Sequence, residues 1–138
     1  MHRYALLPLA ALLTACTTTP VPPPDPQQAW VEMFTRTGKL VMAERLDGQH
    51  LDDGRYFQFP PGSHELLVRY DYDVAQAVLA IMAQPYERLC YITLRYNNFE
   101  AGQRYRFEAR NLGLQTFAFL YDAHGNTVAT ERQVNCLF

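Results

Sequence analysis

An acidic loop is the first group of residues whose types and spacing could carry chemistry. Asp47, His50, Asp52 and Asp53 lie within seven residues. Carboxylate oxygens at this density bind Ca²⁺, and with a histidine they could serve an envelope hydrolase or another metal-dependent enzyme. The spacing lacks the EF-hand pattern, and Asp beside Gly is also the ordinary composition of a turn. We therefore predict a turn without a bound metal. If a metal did bind, Asp47, Asp52 and Asp53 would be the candidate ligands.

A row of arginines is the second such group. Arg104, Arg106 and Arg110 alternate with apolar residues, so they share one face of a predicted strand, with Glu108 between them. Guanidinium groups arranged in this way could bind a carboxylate or a phosphate. A solvated sheet face with Glu108 as the local counter-ion is the commoner arrangement, and it is the one we expect. Exposed tyrosines could also stack on sugars or partners, and the candidates are Tyr70, Tyr72, Tyr91, Tyr96 and Tyr105.

Catalytic motifs are missing from the sequence. There is no Gly-x-Ser-x-Gly, and His64-Glu65 is not followed by the second histidine of a zinc protease. His50 and His124 lie beside turn residues, where histidines are common. We therefore predict a non-enzymatic protein with no catalytic residue and no cofactor.

The N-terminus has the pattern of a secretory signal. Arg3 precedes an apolar run that ends in Leu13-Thr14-Ala15-Cys16. The run from Tyr4 to Ala15 is interrupted by Pro8 and is too short for a membrane span, which needs about 20 apolar residues. Its last four residues resemble the lipobox of bacterial lipoproteins. That resemblance implies cleavage before Cys16, a diacylglycerol on its sulfur, and usually an amide-linked fatty acid such as palmitate on its new N-terminus.

The residue after Cys16 bears on sorting. In Gram-negative lipoproteins an aspartate there tends to retain the protein at the inner membrane, and this chain has Thr17. The resemblance therefore implies an outer-membrane lipoprotein that faces the periplasm. Several acyl chains would hold it stably, since each buried CH₂ contributes about 0.8 kcal/mol.

Two further cysteines, Cys90 and Cys136, remain in what would be an oxidising compartment. An even number of cysteines in a secreted chain favours a disulfide, although two buried thiols or a metal pair are alternatives. No Cys or His stands at ligand spacing from either residue, so we predict the disulfide.

The composition divides the chain into three segments, and its net charge restricts the classes of partner that it could bind. We predict a signal peptide at 1–15, a tether at 16–26 and one folded domain at 27–138. The tether contains five prolines in the ten residues 17–26, which favours extended polyproline II structure. Loss of Arg3 with the signal leaves a net charge of about −3, which argues against nucleic acid as a partner. The membrane, through the lipid, and an envelope protein or glycan are the partners we expect.

Alternating apolar residues and frequent turn signals predict a mainly β domain. The expected fold is an antiparallel β-sandwich, or a partly open barrel, of about eight short strands. Residues 74–83 are apolar nearly all round and could form a short helix or an exposed apolar loop. In residues 115–122, Phe117, Phe119 and Tyr121 share a face. The predicted strands are 30–35, 39–46, 55–59, 64–73, 89–96, 103–110, 115–122 and 127–136.

Two turn motifs resemble a pattern in small proteobacterial (Gram-negative) lipoproteins. Phe59-Pro-Pro-Gly-Ser-His-Glu-Leu-Leu-Val-Arg69 matches a "PG-x-H-x-L-x-V" turn that enters one strand, and Phe99-Glu-Ala-Gly-Gln-Arg-Tyr105 matches an "AG-x-x-Y" turn that enters another. The resemblance implies an outer-membrane location and a strand-rich fold, but it assigns no activity to any particular residue. We expect an outer-membrane-anchored binding or structural module. An enzyme using loop 47–53, and an inhibitor or assembly accessory of an envelope machine, are the alternatives.

Overall fold

Nine strands make up the domain in the computed structural model, which describes residues 16–36, 38–74 and 86–137. The mainly β prediction is confirmed, and these residues include no helix. They also contain no helix long and apolar enough to cross a bilayer. Of the ambiguous stretch 74–83, only Val74 lies within the described residues, where it ends a strand. The strands are β1 (Ala29–Phe34), β2 (Leu40–Leu46), β3 (Gln49–His50), β4 (Tyr56–Phe59), β5 (Gly62–Val74), β6 (Tyr86–Phe99), β7 (Arg104–Leu112), β8 (Gln115–Tyr121) and β9 (Thr127–Leu137).

The strands form one curled sheet in the order β3-β2-β5-β6-β9-β8-β7-β1-β4. The long strand β9 joins the two halves, because residues 131–137 pair with β6 and residues 127–130 pair with β8. The curl brings the far edges together, and the N–H of Ala43 in β2 donates to the carbonyl of Gly54, next to β4, at 2.7 Å. The result is a half-barrel, which corresponds to the partly open barrel named as the alternative to a sandwich.

One pairing differs from the antiparallel arrangement that the sequence suggested. β1 runs parallel to β7, with Trp30 beside Arg104 and Glu32 beside Arg106, whereas all other pairs are antiparallel. β1 does not form a hairpin with β2, although only residues 35–39 separate them. Each instead pairs with a strand distant in sequence, and period-2 alternation does not encode which strand that will be.

Alternation correctly predicted most of the faces that line the interior. Alternate residues are buried over 66–72 of β5, 90–94 of β6 and 105–109 of β7, as expected from strands with one face on the core. In β8 the interior residues are Ala118 and Leu120, so Phe117, Phe119 and Tyr121 lie on the outer face. Each fully buried large apolar side chain contributes roughly 1.5–3 kcal/mol. The largest of them are Tyr70, Tyr72, Phe57, Phe59, Phe107, Leu66, Ile92, Leu94 and Leu120.

The predicted disulfide between Cys90 and Cys136 is confirmed. The two residues are direct neighbours across β6 and β9, with their Cα atoms 3.9 Å apart. Cys90 is fully buried beside Ile92 in the interior row. The bond therefore links the C-terminal half of β9 covalently to the middle of the sheet, where a chain end would otherwise fray.

The N-terminal segment joins the sheet at the end where β7 begins. Residues 16–24 are exposed and have no regular structure. At Gln28 the chain is held by the N–H of Gly102, which donates to the Gln28 carbonyl at 2.9 Å. Gly102 has a φ of 75°, and a Cβ there would lie 3.1 Å from the Pro26 carbonyl oxygen. Glycine is favoured here because the left-handed backbone conformation and the close approach would both strain any residue with a Cβ.

Candidate functional site

The outer face of β1, β7 and β8 carries the largest group of charged and aromatic side chains that the register brings together. Alternation places Trp30 and Glu32 on this face, and the parallel pairing sets them beside Arg104 and Arg106. The antiparallel pairing on the other side of β7 sets Tyr121 opposite Arg106. β1 and the β7–β8 hairpin, which are far apart in sequence, thus form one surface.

Two arginines on this surface stack on aromatic rings. The Arg106 guanidinium carbon lies 4.8 Å from the Phe34 ring centroid and 5.4 Å from that of Tyr121. Arg110 lies 4.8 Å from the Phe119 centroid, and its Nη2 donates to the Tyr121 hydroxyl at 2.7 Å. Cation–π contacts of this kind contribute about 0.5–1 kcal/mol each at exposed sites. The rings therefore hold both guanidinium groups in fixed positions.

Glu108 lies beneath the two arginines as their shared counter-ion. Its side chain is only 8% exposed, whereas those of Arg106 and Arg110 are each 44% exposed. Arg110 Nε donates to Glu108 Oε1 at 2.7 Å, and Arg106 Nη2 lies 3.6 Å from Oε2. The hydrogen bond to Glu108 raises the pKa of Arg110 against the opposing effect of desolvation. The counter-ion role predicted for Glu108 is thus present, but the carboxylate is buried and not solvated.

A groove of about 360 Å³ opens beside this network, between β1, the start of β7 and the turn after β8. Arg104 lines the groove, and no carboxylate among the described residues makes an ion pair with it. Glu32 also lines it and has no ion pair within the described residues. The groove therefore contains one cation and one carboxylate that are unpaired.

A second carboxylate in the groove belongs to a rigid turn. Asp122 accepts hydrogen bonds from the backbone N–H groups of His124 and Asn126, each at 2.9 Å. The Asn126 N–H is the main cause that lowers the pKa of Asp122 below 3.8, and desolvation opposes it. These bonds fix the Asp122 carboxylate in the wall of the groove, where it stays ionised and makes no ion pair with Arg104.

Trp30 lines one side of the groove and is the single tryptophan of the chain. Its ring stacks on that of Tyr56, with centroids 4.3 Å apart and planes 5° from parallel. Only 7% of Trp30 is exposed, so the pair forms a fixed wall and not a mobile flap.

The acidic loop does not converge on a common centre. Asp47 Oδ2 lies 2.6 Å from His64 Nδ1, and Asp47 Oδ1 accepts the N–H of Glu65 at 2.8 Å. Asp53 instead forms a chelate with the side chain of Arg55, whose hydrogen bond is the main cause lowering the pKa of Asp53 to about 2. Asp52 is exposed and His50 lies 3.7 Å from Glu44. Among the described residues no three His, Cys, Asp or Glu side chains are grouped to hold a metal ion.

His64 links the loop to the start of β5. Its Nε2 lies 2.7 Å from the Pro60 carbonyl oxygen, while Nδ1 faces Asp47. Both partners carry acceptor oxygens, so contacts with the protein engage both ring nitrogens. For Asp47, desolvation raises the pKa, but the hydrogen bonds from Glu65 and His64 outweigh it and leave the pKa below 3.8. This histidine closes a turn and has no free nitrogen for proton transfer.

The other predicted residues occupy separate places. Cys16 is an exposed free cysteine in the N-terminal segment, and the Cys90–Cys136 disulfide lies across the sheet from the groove strands. Tyr70 and Tyr72 are buried in the interior, where their hydroxyls bond to Asn111 and Thr116 at 3.0 Å. Tyr105 is also buried, and Tyr91 and Tyr96 are half-buried.

Sequence reasoning identified the arginine row but missed Trp30, Glu32 and Tyr121 as its neighbours. Only the alternation of Trp30 and Glu32 with buried residues in 29–34 could have placed these two on an outer face. Their position beside Arg104 and Arg106 depends on a parallel pairing with no local signal.

Comparisons with models of protein families, with curated proteins and with solved structures find no match to this chain.

Proposed function

We propose that this chain is a lipoprotein anchored to the outer membrane through Cys16, with residues 27–138 as a non-enzymatic binding module on the periplasmic side. The sequence Leu13-Thr14-Ala15-Cys16 and the following Thr17 support the anchor and its sorting. The disulfide supports an oxidising compartment, because such bonds rarely persist in the cytosol. The exposed, irregular stretch 16–24 supports a tether between the lipid and the domain.

The groove is the observation that carries the binding function. It combines Arg104 and Glu32, which have no ion pair among the described residues, with Trp30, whose ring is stacked on Tyr56 behind it. Paired strands form most of its lining, and the hydrogen-bonded turn after β8 forms the rest. Concave sites that combine apolar surface with a few placed polar groups are typical of small-ligand binding.

The enzymatic alternative has less support. Catalysis by loop 47–53 would need a carboxylate or a histidine free to exchange protons or bind a metal. Asp47 and Asp53 are each bonded to a basic partner, and both nitrogens of His64 are occupied. The groove contains arginine, glutamate and aromatic side chains, which suit recognition.

Site-specific photo-crosslinking in intact envelopes tests the binding function. A photoreactive residue at Ala123, an exposed lining residue to which no ligand contact is assigned, should capture a discrete envelope component. The control is the same residue at Arg132, whose side chain is 67% exposed on β9. Equal capture at both positions, or none at Ala123, would contradict a binding role for the groove.

Metabolic labelling with a fatty-acid analogue tests the anchor. The native chain should be labelled and Cys16→Ala should not. Equal labelling of the two would refute lipidation at Cys16. Density fractionation then tests the sorting, and recovery of the native protein only with inner membranes would reject the outer-membrane assignment.

A further inference from the structure

We propose that the groove beside Arg104 binds a sugar ring that carries one anionic group, a carboxylate or a phosphate. This inference rests on the proposed binding function and specifies its ligand. It follows from three properties of the groove: an unpaired guanidinium, an unpaired carboxylate, and a fixed aromatic wall.

Arg104 is the contact for the anionic group. Arg104 lines the groove without an ion-pair partner among the described residues, and the Asp122 carboxylate in the same lining is held by backbone N–H groups of its own turn. Arg106 lies two residues on, on the same face, and Phe34, Tyr121 and Glu108 hold its position. Two guanidinium groups on one strand, one free and one already fixed, suit the bidentate recognition of a carboxylate or phosphate.

Glu32 limits the charge of the ligand and favours hydroxyl groups. Its carboxylate faces the same groove as Arg104 and would repel a second anionic group. It can accept hydrogen bonds from hydroxyls, which a sugar ring supplies in number. A ligand with one anionic group and several hydroxyls satisfies both side chains.

The aromatic wall and the size of the groove fit a ring. Trp30 is fixed against Tyr56, and Tyr121 lines the groove near the two arginines. Aromatic side chains offer apolar surface next to a polar edge, which suits the mixed faces of a sugar. A volume of about 360 Å³ lies within the range of small-ligand sites.

A densely charged polyanion does not fit these groups. The chain without residues 1–15 carries a net charge of about −3, and Glu32 adds local negative charge at the groove. Long-range attraction for a polymer of closely spaced phosphates is therefore lacking. A zwitterionic peptide would match Arg104 and Glu32 but would leave the aromatic wall without a ring to cover.

Trp30 provides a direct assay, because it is the only tryptophan and it lines the groove. The full chain, extracted in detergent, is titrated with glucuronate, glucose 6-phosphate, maltose and dialanine. Trp30 fluorescence and calorimetry are recorded together, so that binding without a spectral change is still detected. The first two probes separate a carboxylate from a phosphate, and the last two test the neutral and the zwitterionic alternatives.

Arg104→Gln and Arg36→Gln form the matched pair of variants. Both side chains are exposed and make no ion pair among the described residues, but Arg36 lies beyond the opposite end of β1. Arg104→Gln should weaken binding of the charged sugar roughly tenfold or more, as loss of a charge-assisted hydrogen bond requires. Arg36→Gln should bind like the native chain, and Arg104→Lys should retain part of the affinity.

The outcomes separate this inference from the proposed function. It is supported if one or both charged sugars bind more tightly than maltose and Arg104→Gln removes the difference. It is overturned if maltose or dialanine binds as tightly as the charged sugars, if Arg104→Gln has no effect, or if no probe binds at millimolar concentration. Capture of an envelope component from position 123 in any of these cases would leave the binding function standing with a different ligand.

Discussion

Replacing Glu108 and replacing its partner Arg110 on the outer face of the sheet should lower the free energy of unfolding by unequal amounts. Glu108 is 8% exposed and its partner Arg110 is 44% exposed, so deleting one or the other leaves different groups behind. In Arg110→Met the buried carboxylate keeps only Arg106, at 3.6 Å. In Glu108→Gln the arginines lose a charge partner but can be hydrated, and an amide oxygen remains to accept a hydrogen bond.

The magnitudes follow from what each variant leaves unpaired. Leaving a buried charge without its partner costs about 3–5 kcal/mol, and a remaining contact at 3.6 Å should reduce this to about 3 kcal/mol. Arg110→Met also loses the contact with the Phe119 ring, worth about 0.5–1 kcal/mol at an exposed site. Glu108→Gln weakens one short charge-assisted hydrogen bond, which should cost about 1–2 kcal/mol. The double variant should be less destabilised than the sum of the two.

The assay is chemical unfolding of the oxidised chain in the Cys16→Ala background, with the free energy of unfolding extrapolated to water. The control is Arg132→Met, whose side chain is 67% exposed and lies 4.0 Å from Glu65, and which should cost no more than about 0.5 kcal/mol. If Glu108→Gln destabilises the chain as much as Arg110→Met, or if the effects of the pair add fully, the argument from burial is wrong.

Three further predictions concern the disulfide, the turn at the start of β5 and the N-terminal junction. Cys136→Ser should lower the free energy of unfolding by about 3–4 kcal/mol in thermal or denaturant melts, because the bond spans a sequence separation of 46. Finding two titratable thiols in the denatured, unreduced native chain would refute the pairing. The pKa of Asp47 is lower in the folded than in the unfolded state, so its contribution to stability is complete above about pH 3.8 and is lost as the pH falls through the folded value. Asp47→Asn should therefore lower the free energy of unfolding at pH 6 and make it depend less on pH in the acid range. An unchanged dependence on pH in the acid range would contradict this. Gly102→Ala should cost at least about 1 kcal/mol, because φ is 75° and the added Cβ meets a carbonyl oxygen at 3.1 Å, whereas Gly113→Ala, with φ of 57° and open space, should cost less in the same melts.

The disulfide and the strands were largely predictable because their signals are local. Eight of the nine strands overlap segments predicted from alternation, and β3 was missed because Gln49–His50 is too short to show a period. The turn at Asp47-Gly48 follows from residue types that tolerate positive φ, observed as 48° and 82°. Cys90 and Cys136 were paired by counting, and their alignment across β6 and β9 agrees with that count.

The tertiary structure determined which residues line the groove and which partners the residues of the acidic loop bond to. Trp30 and Glu32 reach Arg104 and Arg106 only because β1 inserts parallel to β7, a pairing between residues more than 70 positions apart. Asp47 is bonded to His64 across 17 residues, which turns a candidate metal ligand into part of a turn. The alternation of residue types along a strand indicates which residues share a face. The identity of the neighbouring strand depends on how the whole sheet closes. For this chain the sequence determined the elements and the covalent link, and long-range pairing determined the surface that could bind a ligand.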